Sequence, residues 1–353
     1  MKDPHERRSG FGFGPGTGTF GGRVGVCIAG TGRSQPSKSL TNADLERLMD
    51  TSDEWIVQRT GIRERKIIDK SKGESTRTMA ADALRKALAQ AKTDANELDL
   101  LICATMTAEM SCPPMACIVA DMVGMMGAGA FDLNAACSGF VYALNLAHDL
   151  IRGGAYRSIA VVGADTLSEL MDYSTAGRGT AIIFGDGAGA VVLKATDDTS
   201  KGILAQGMHS NGSGWKDIYI PREPRDFPVG VECDPAKYNR VQMNGSGVFK
   251  FAVGTFPDLI GETLERAHVK PEEVDMYLCH QSNMRILHAA RERYGLPPEK
   301  LYINIDRVGN TVAASVPICL DEVREKGLIR EGHKVMFLAF GGGLTWASSL
   351  WQL

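Results

Sequence analysis

The stretch ELDLLICA at 97–104 returns as EVDMYLCH at 273–280, an offset of 176 residues that is half the chain. Working outward at that offset, Leu88 and Ala91 fall on Leu264 and Ala267, Asn134 falls on Asn310, and the apolar run 159–162 falls on 335–338. Two copies of this length point to duplicated domains and not to a solenoid of short repeats. Within each copy, short apolar runs alternate with helical spacing. Segments 98–104 and 159–162 read as strands and 78–91 and 138–152 as helices, and the same order recurs at 256–267, 274–279, 314–325 and 335–340. That alternation predicts α/β layers whose sheets are covered on both faces. At two aligned positions the copies diverge in chemistry. Ala104 faces His280 and Cys137 faces Ala313, so reactive groups are expected where the halves meet.

Length and composition bound the rest. A chain of 353 residues with 44% apolar residues accommodates two domains with sizeable cores. The expected division is a glycine-rich extension over 1–22 (GFGFGPGTGTFGG at 10–22) without an apolar face, a first half over 23–198 and a second over 199–353, joined near ATDDTSKG at 195–202. Segment 211–240, with Pro221, Pro224, Pro228 and Pro235, reads either as an insertion at the mouth of a site or as a plain surface loop. A net charge of -3, with 39 basic and 42 acidic residues interspersed, gives no electrostatic case for nucleic acid. Several of the eight cysteines (Cys27, Cys103, Cys279) sit inside apolar runs, as in a reducing compartment, which makes the cytoplasm the expected location. Cys112 and Cys117 lack a second ligand pair at metal-site spacing, so no metal is expected. No apolar run approaches the ~18 residues of a membrane span. The start of the chain, with Lys2, Asp3, Glu6, Arg7 and Arg8, does not read as a signal peptide.

Three residues stand out chemically. Cys137 follows an apolar strand and a small-residue turn and opens a long helix, where the helix end and unpaired N–H groups favour a thiolate and are suited to hold an oxyanion. Its bland reading is a buried inert thiol, but Cys103 and Cys279 recur as a matched pair and Cys137 does not. His280 ends a strand, the position at which α/β sheets bind ligands. A structural histidine is the alternative, against which stands its twin, Ala104. Asn310 is equally well read as a turn or N-cap residue, as its twin Asn134 suggests. If the halves pack about a pseudo-two-fold axis, the two strand-to-helix turns approach and thiol, imidazole and amide converge. Among the glycine clusters, GTGRSQ lacks the third glycine of a dinucleotide fingerprint, whereas FGDGAGA (184–190) and FGGG (340–343) mark tight turns.

Six motifs then carry a resemblance: TSDEWIVQRTGIRER (51–65), AACSGF (135–140), RGTAIIFGDGAGA (178–190), HQSNMRI (280–286), GNTVAAS (309–315) and AFGGGLTW (339–346). From about residue 24 to 353 the chain resembles the β-ketoacyl-acyl-carrier-protein synthase III family of the thiolase-like superfamily. The resemblance implies two halves forming a five-layered αβαβα fold about a pseudo-two-fold axis, usually as a homodimer. It carries the nucleophile onto Cys137, its partners onto His280 and Asn310, and an oxyanion hole onto the backbone of Cys137 and Gly342. Coenzyme A contacts fall on Trp55, Arg59, Arg178 and Asn283. Carrier-protein contacts fall on Gln281, Ser282, Asn283, Met284 and Arg285, with Lys250 and Arg293 extending the basic dock. Cys112 and Phe340 are assigned to the acyl pocket. Cys112 occupies a place where acetyl-specific relatives often have a phenylalanine that closes the acyl pocket from the partner subunit, which implies room for primers longer than acetyl.

The activity implied is transfer of an acyl group from acyl-CoA to Cys137, followed by decarboxylating condensation with malonyl-acyl carrier protein. The product is a 3-oxoacyl carrier protein, the first step of fatty acid synthesis, with no metal or redox cofactor. Three alternatives stand beside it: a specialised synthase or acyltransferase of secondary metabolism on the same scaffold, a catalytically silent acyl-binding subunit, and a cysteine hydrolase using Cys, His and Asn.

Overall fold

The computed structural model describes residues 24–353, so the expected 1–22 extension lies outside the described residues. The first half runs β1 (Gly25–Ser34), β2 (Lys38–Thr41), α1 (Asn42–Glu46), α2 (Asp53–Thr60), β3 (Glu64–Ile67), α3 (Thr76–Ala91), β4 (Leu100–Ala104), α4 (Met115–Val123), β5 (Gly129–Leu133), α5 (Gly139–Arg152), β6 (Ser158–Thr166), α6 (Arg178–Ala181) and β7 (Asp186–Thr196). The second runs β8 (Gly202–Ser210), β9 (Ile218–Tyr219), β10 (Gln242–Met243), α7 (Gly245–Ala267), β11 (Met276–Cys279), α8 (Met284–Arg293), α9 (Ile305–Val308), α10 (Ser315–Glu325), β12 (Lys334–Gly341) and β13 (Thr345–Gln352).

The duplication shows directly in the strand order. The first sheet is ordered β1-β7-β6-β4-β5 and the second β8-β13-β12-β11, with β4–β6 and β11–β12 parallel and the remaining shared pairs antiparallel. The counterpart of β5 shrinks to a single parallel bridge between Tyr277 and Leu301. Pro297 and Pro298 stand just before it and remove donors that a longer strand would need.

Apolar burial arranges these elements in five layers. Phe140, Val141, Leu144 and Ile151 of α5 and Val316, Leu320 and Val323 of α10 pack in one core between the sheets, against Ile102, Ile159 and Val161 on one side and Leu278, Phe337 and Trp351 on the other. Helices α3 and α4 cover the outer face of the first sheet, and α7 and α8 that of the second. Because α10 is covered on every side, nine of its eleven residues are buried. Each such buried aliphatic or aromatic side chain contributes ~1.5–3 kcal/mol. The halves also touch backbone to backbone: a Cβ on Gly163 of β6 would lie 2.4 Å from the Ala313 carbonyl oxygen, so only glycine fits there. Segment 211–240 takes the insertion reading, because β9 and the residues around it turn Ile218, Ile220 and Val241 inward beside Cys137. No described helix is long and apolar enough to cross a membrane.

Candidate active site

Two twin turns build the centre. After β5, Asn134 Oδ1 accepts the Ala136 N–H at 3.1 Å; 176 residues later, Asn310 Oδ1 accepts the Val312 N–H at 2.9 Å. Ala136 and Val312 both stand in the left-handed region, at φ 47° and 53°. That conformation is a genuine outlier for a β-branched residue such as Val312. Each elbow presents the next residue, Cys137 or Ala313, one turn ahead of a central helix. The bland reading of Asn310 therefore holds for its carbonyl. Its NH2 has no protein partner among the described residues, and Asn310 lines one cavity together with Cys137 and His280. The three expected groups converge.

His280 ends β11, its N–H bound to Leu338 O at 2.7 Å. Ser315 Oγ accepts the Gln281 N–H at 3.0 Å and lies 2.8 Å from His280 Nδ1. The Ser315 hydroxyl has no other acceptor among the described residues, so its proton is assigned to Nδ1 and the ring proton to Nε2. Burial pushes the imidazole down to about 3, so it stays neutral at physiological pH. The edge of Phe340 fixes the ring face, with centroids 5.6 Å apart at 80°. The Cys137 thiol departs from the expectation of a lowered pKa. Burial pushes it up, and the Asp165 carboxylate adds to the rise. Desolvation by burial outweighs the helix end. Gly341 permits the close approach of β12, because a Cβ there would lie 2.7 Å from the Cys137 nitrogen, and Gly342 adjoins Ala136.

The thiol sits where two cavities meet. One, of about 480 Å³, opens past His280, Asn310, Phe249 and Phe340 towards Trp55 and Arg59. The other, of about 370 Å³, is lined by Met106, Leu167, Phe184, Ile218, Ile220 and Val241. These apolar residues went unnoticed in the sequence, since they come from five separate segments with no common spacing. Phe340 belongs to the first cavity and not to this apolar chamber. Cys112 is exposed and lines neither cavity of its own chain, as a residue expected to reach the acyl pocket of a partner subunit would be.

At the outer mouth, the guanidinium carbons of Arg59 and Arg178 lie 4.6 and 5.1 Å from the Trp55 ring centroid. Arg178 is tethered to the Asp50 carbonyl oxygen at 2.5 Å. Asn283 caps α8 through the Arg285 N–H and donates to the Arg59 carbonyl at 2.9 Å, so it ties the two walls of the channel together. Gln281 corrects the expected docking segment. It is fully buried, donating to the Cys279 and Tyr302 carbonyls and accepting from the Asn304 and Ile305 N–H groups, which leaves it nothing to offer a partner. Ser282, Asn283 and Met284 are half-buried, Arg285 is exposed over Phe249 at 4.9 Å, Lys250 is exposed, and Arg293 pairs with Asp258 at 3.4 Å.

A duplicated αβαβα architecture with unlike residues at its twin turns defines the thiolase-like class. Comparison with known proteins narrows it. Residues 131–212 match the family model for 3-oxoacyl-[acyl-carrier-protein (ACP)] synthase III, and 264–353 that for its C-terminal part. The chain is 44% identical over 328 residues to the beta-ketoacyl-[acyl-carrier-protein] synthase III of Caldanaerobacter subterraneus, covering 93% of this chain and 98% of the relative. It superposes on the crystal structure of 3-oxoacyl-[acyl-carrier-protein] synthase III from Aquifex aeolicus with a TM-score of 0.85 at 41% identity, covering 93% of this chain and 100% of the other. The priming beta-ketosynthase of the R1128 polyketide pathway gives a TM-score of 0.85 at 31% identity, covering 94% and 97%. The chain belongs to the 3-oxoacyl-[acyl-carrier-protein] synthase III family.

Proposed function

We propose that the chain condenses an acyl-CoA primer with malonyl-acyl carrier protein, giving a 3-oxoacyl carrier protein, CoA and CO2, and so initiates fatty acid synthesis. The observation that carries this reading is the pairing of one thiol with two neutral hydrogen-bond donors, Nε2 of His280 and the NH2 of Asn310, around one cavity. A hydrolase needs a base to activate water, and an imidazole held neutral with its proton on Nε2 is poorly suited to that task.

In the first half-reaction, acyl-CoA enters along the larger cavity with its adenine beside Trp55, Arg59 and Arg178, and the acyl chain reaches the apolar chamber past Cys137. The Cys137 sulfur displaces the CoA sulfur while backbone N–H groups of Cys137 and Gly342 hold the thioester oxygen. The thiol proton passes to the departing CoA sulfur, so the step consumes no net base. In the second, malonyl carrier protein takes the same channel. Its thioester oxygen accepts hydrogen bonds from His280 and Asn310, which stabilise the enolate formed as CO2 leaves. The enolate carbon attacks the acyl-Cys137 thioester and the Cys137 sulfur departs as a thiolate, which takes up one proton from solvent. Loss of CO2 supplies the drive, and no step calls for a metal or redox cofactor.

Arg285 and Lys250 are the exposed cations by which an acidic carrier protein is recognised at the channel mouth. A homodimer is supported by β5, an edge strand of the first sheet among the described residues, next to a loop that exposes Met110 and Cys112. Eight free cysteines support a reducing compartment such as the cytoplasm.

The test is intact-protein mass spectrometry with a series of acyl-CoAs, followed by a chase with malonyl carrier protein. An adduct on Cys137 that the chase converts to 3-oxoacyl carrier protein is expected. An adduct that survives the chase would favour a specialised acyltransferase, free acid released without malonyl substrate a hydrolase, and the absence of any adduct would remove Cys137 as nucleophile.

A further inference from the structure

The twin elbows differ in what their N–H groups meet. At the second elbow, the Ala313 N–H is taken by Asp165 Oδ2 at 3.1 Å. At the first, the equivalent N–H belongs to Cys137 and meets no carboxylate among the described residues, because the residue 176 positions after Asp165 is Gly341. The chain therefore holds the same strained turn twice, once with an anion built in and once with the anion's place cleared for a ligand. Asp165 is fully buried, and its other oxygen accepts the Met106 N–H at 2.9 Å and the Thr107 and Thr105 hydroxyls at 2.9 and 3.2 Å.

We propose that Asp165 is a resident anion standing where a substrate oxyanion stands in the sister elbow, and that by pinning the second elbow it positions Asn310 for the condensation step. The backbone of Asn310 is held independently, its N–H on Ile183 O and its carbonyl on the Gly185 N–H, both at 2.9 Å. The direction of its amide rests on the Val312 N–H, and Val312 sits in a left-handed conformation that a free backbone leaves readily. Asp165, gripping the next N–H, keeps that donor in place. With the anchor gone, Val312 relaxes, the Asn310 carbonyl loses its partner and the NH2 no longer points into the cavity. Cys137 stands on the other elbow and keeps its geometry.

This inference rests on the proposed condensation, and its test separates the two. Asp165→Asn, Asn310→Ala and the double variant are compared in two assays: acylation of Cys137 by acyl-CoA, followed by intact mass, and condensation with malonyl carrier protein, followed as kcat and KM. Asp165→Asn is expected to lower the condensation kcat by about 10- to 100-fold, the loss that follows a misplacement of about 1 Å. KM for the carrier protein is expected to change little, and acylation is expected not to fall, since loss of the Asp165 charge relieves part of the rise in the Cys137 pKa. The double variant is expected to be no slower than Asn310→Ala alone, since both remove the same donor. Losses that multiply in the double variant, or acylation falling in step with condensation, would overturn the role given to Asp165. Wild-type protein that does not condense, or Asn310→Ala that condenses normally, would instead overturn the proposed function. Should Asp165→Asn not fold, Asp165→Ser takes its place in the same cycle.

Discussion

Among single residues, His280 shows how far a neighbour's hydroxyl and burial reach. The Ser315 hydroxyl fixes its tautomer, and burial holds its pKa at about 3 against 6.5 for a free side chain. Below pH 6.5 the unfolded chain therefore takes up a proton that the folded chain refuses, so this group costs stability as pH falls towards 3. Asp165 and Asp186 act with the opposite sign. Burial raises both to about 6, so the folded chain takes up protons between about 6 and 3.8 and gains stability there. Comparison with His280→Ala isolates the histidine: between pH 6.5 and 5 wild type is expected to lose about 1.6 kcal/mol relative to the variant. Chemical denaturation at the two pH values measures it, and equal slopes would show that the imidazole is protonated in the folded chain. Sequence alone named Cys137 and His280, because unlike residues at matched positions are visible in a string of letters, and it named Asn310 by its place in the turn that twins the one holding Cys137. It did not reveal the raised Cys137 pKa or the burial of Gln281. Those depend on how much water reaches a side chain, and chain spacing does not encode that.

Secondary elements carry the next level. The strands and central helices were legible because the 176-residue offset runs from β1 against β8 to β6 against β12. The offset ends before β7 and β13, and the counterpart of β5 is a lone bridge, so those pairings had to be seen. The apolar chamber was illegible for a related reason: its walls are single residues from separate segments and have no periodicity. Gly341 makes an element-level prediction. A methyl at this position on β12 would sit 2.7 Å from the Cys137 nitrogen, in the place proposed for the thioester oxygen. Gly341→Ala is expected to slow acylation by about 100-fold or more, as loss of an oxyanion donor does. By contrast, Gly163→Ala, whose methyl would press on the Ala313 carbonyl, is expected to destabilise the fold by ~1–3 kcal/mol. Acylation rates and denaturant midpoints tell the two apart. A Gly341→Ala protein that acylates normally would place the oxyanion elsewhere.

Taken whole, the molecule is two copies that share one core. Helices α5 and α10 are each covered by both sheets, so neither half owns a complete interior. Fragments 24–198 and 199–353 made separately are each expected to lack fixed tertiary packing, with little near-ultraviolet circular dichroism, whereas the full chain unfolds in one transition by every probe. Two separate transitions in the full chain would contradict this. The shared core also has a consequence for what the site can contain. Two identical chains meeting about a true axis carry every residue twice, so a thiol at one elbow faces a second thiol at the other, and an imidazole at 280 has a copy at 104. Joining the copies in one polypeptide lifts that restriction and fixes their ratio at one to one at any dilution. Cysteine opposite alanine, histidine opposite alanine and aspartate opposite glycine are arrangements open only to a fused pair, whose two halves are free to differ in the residues that face each other.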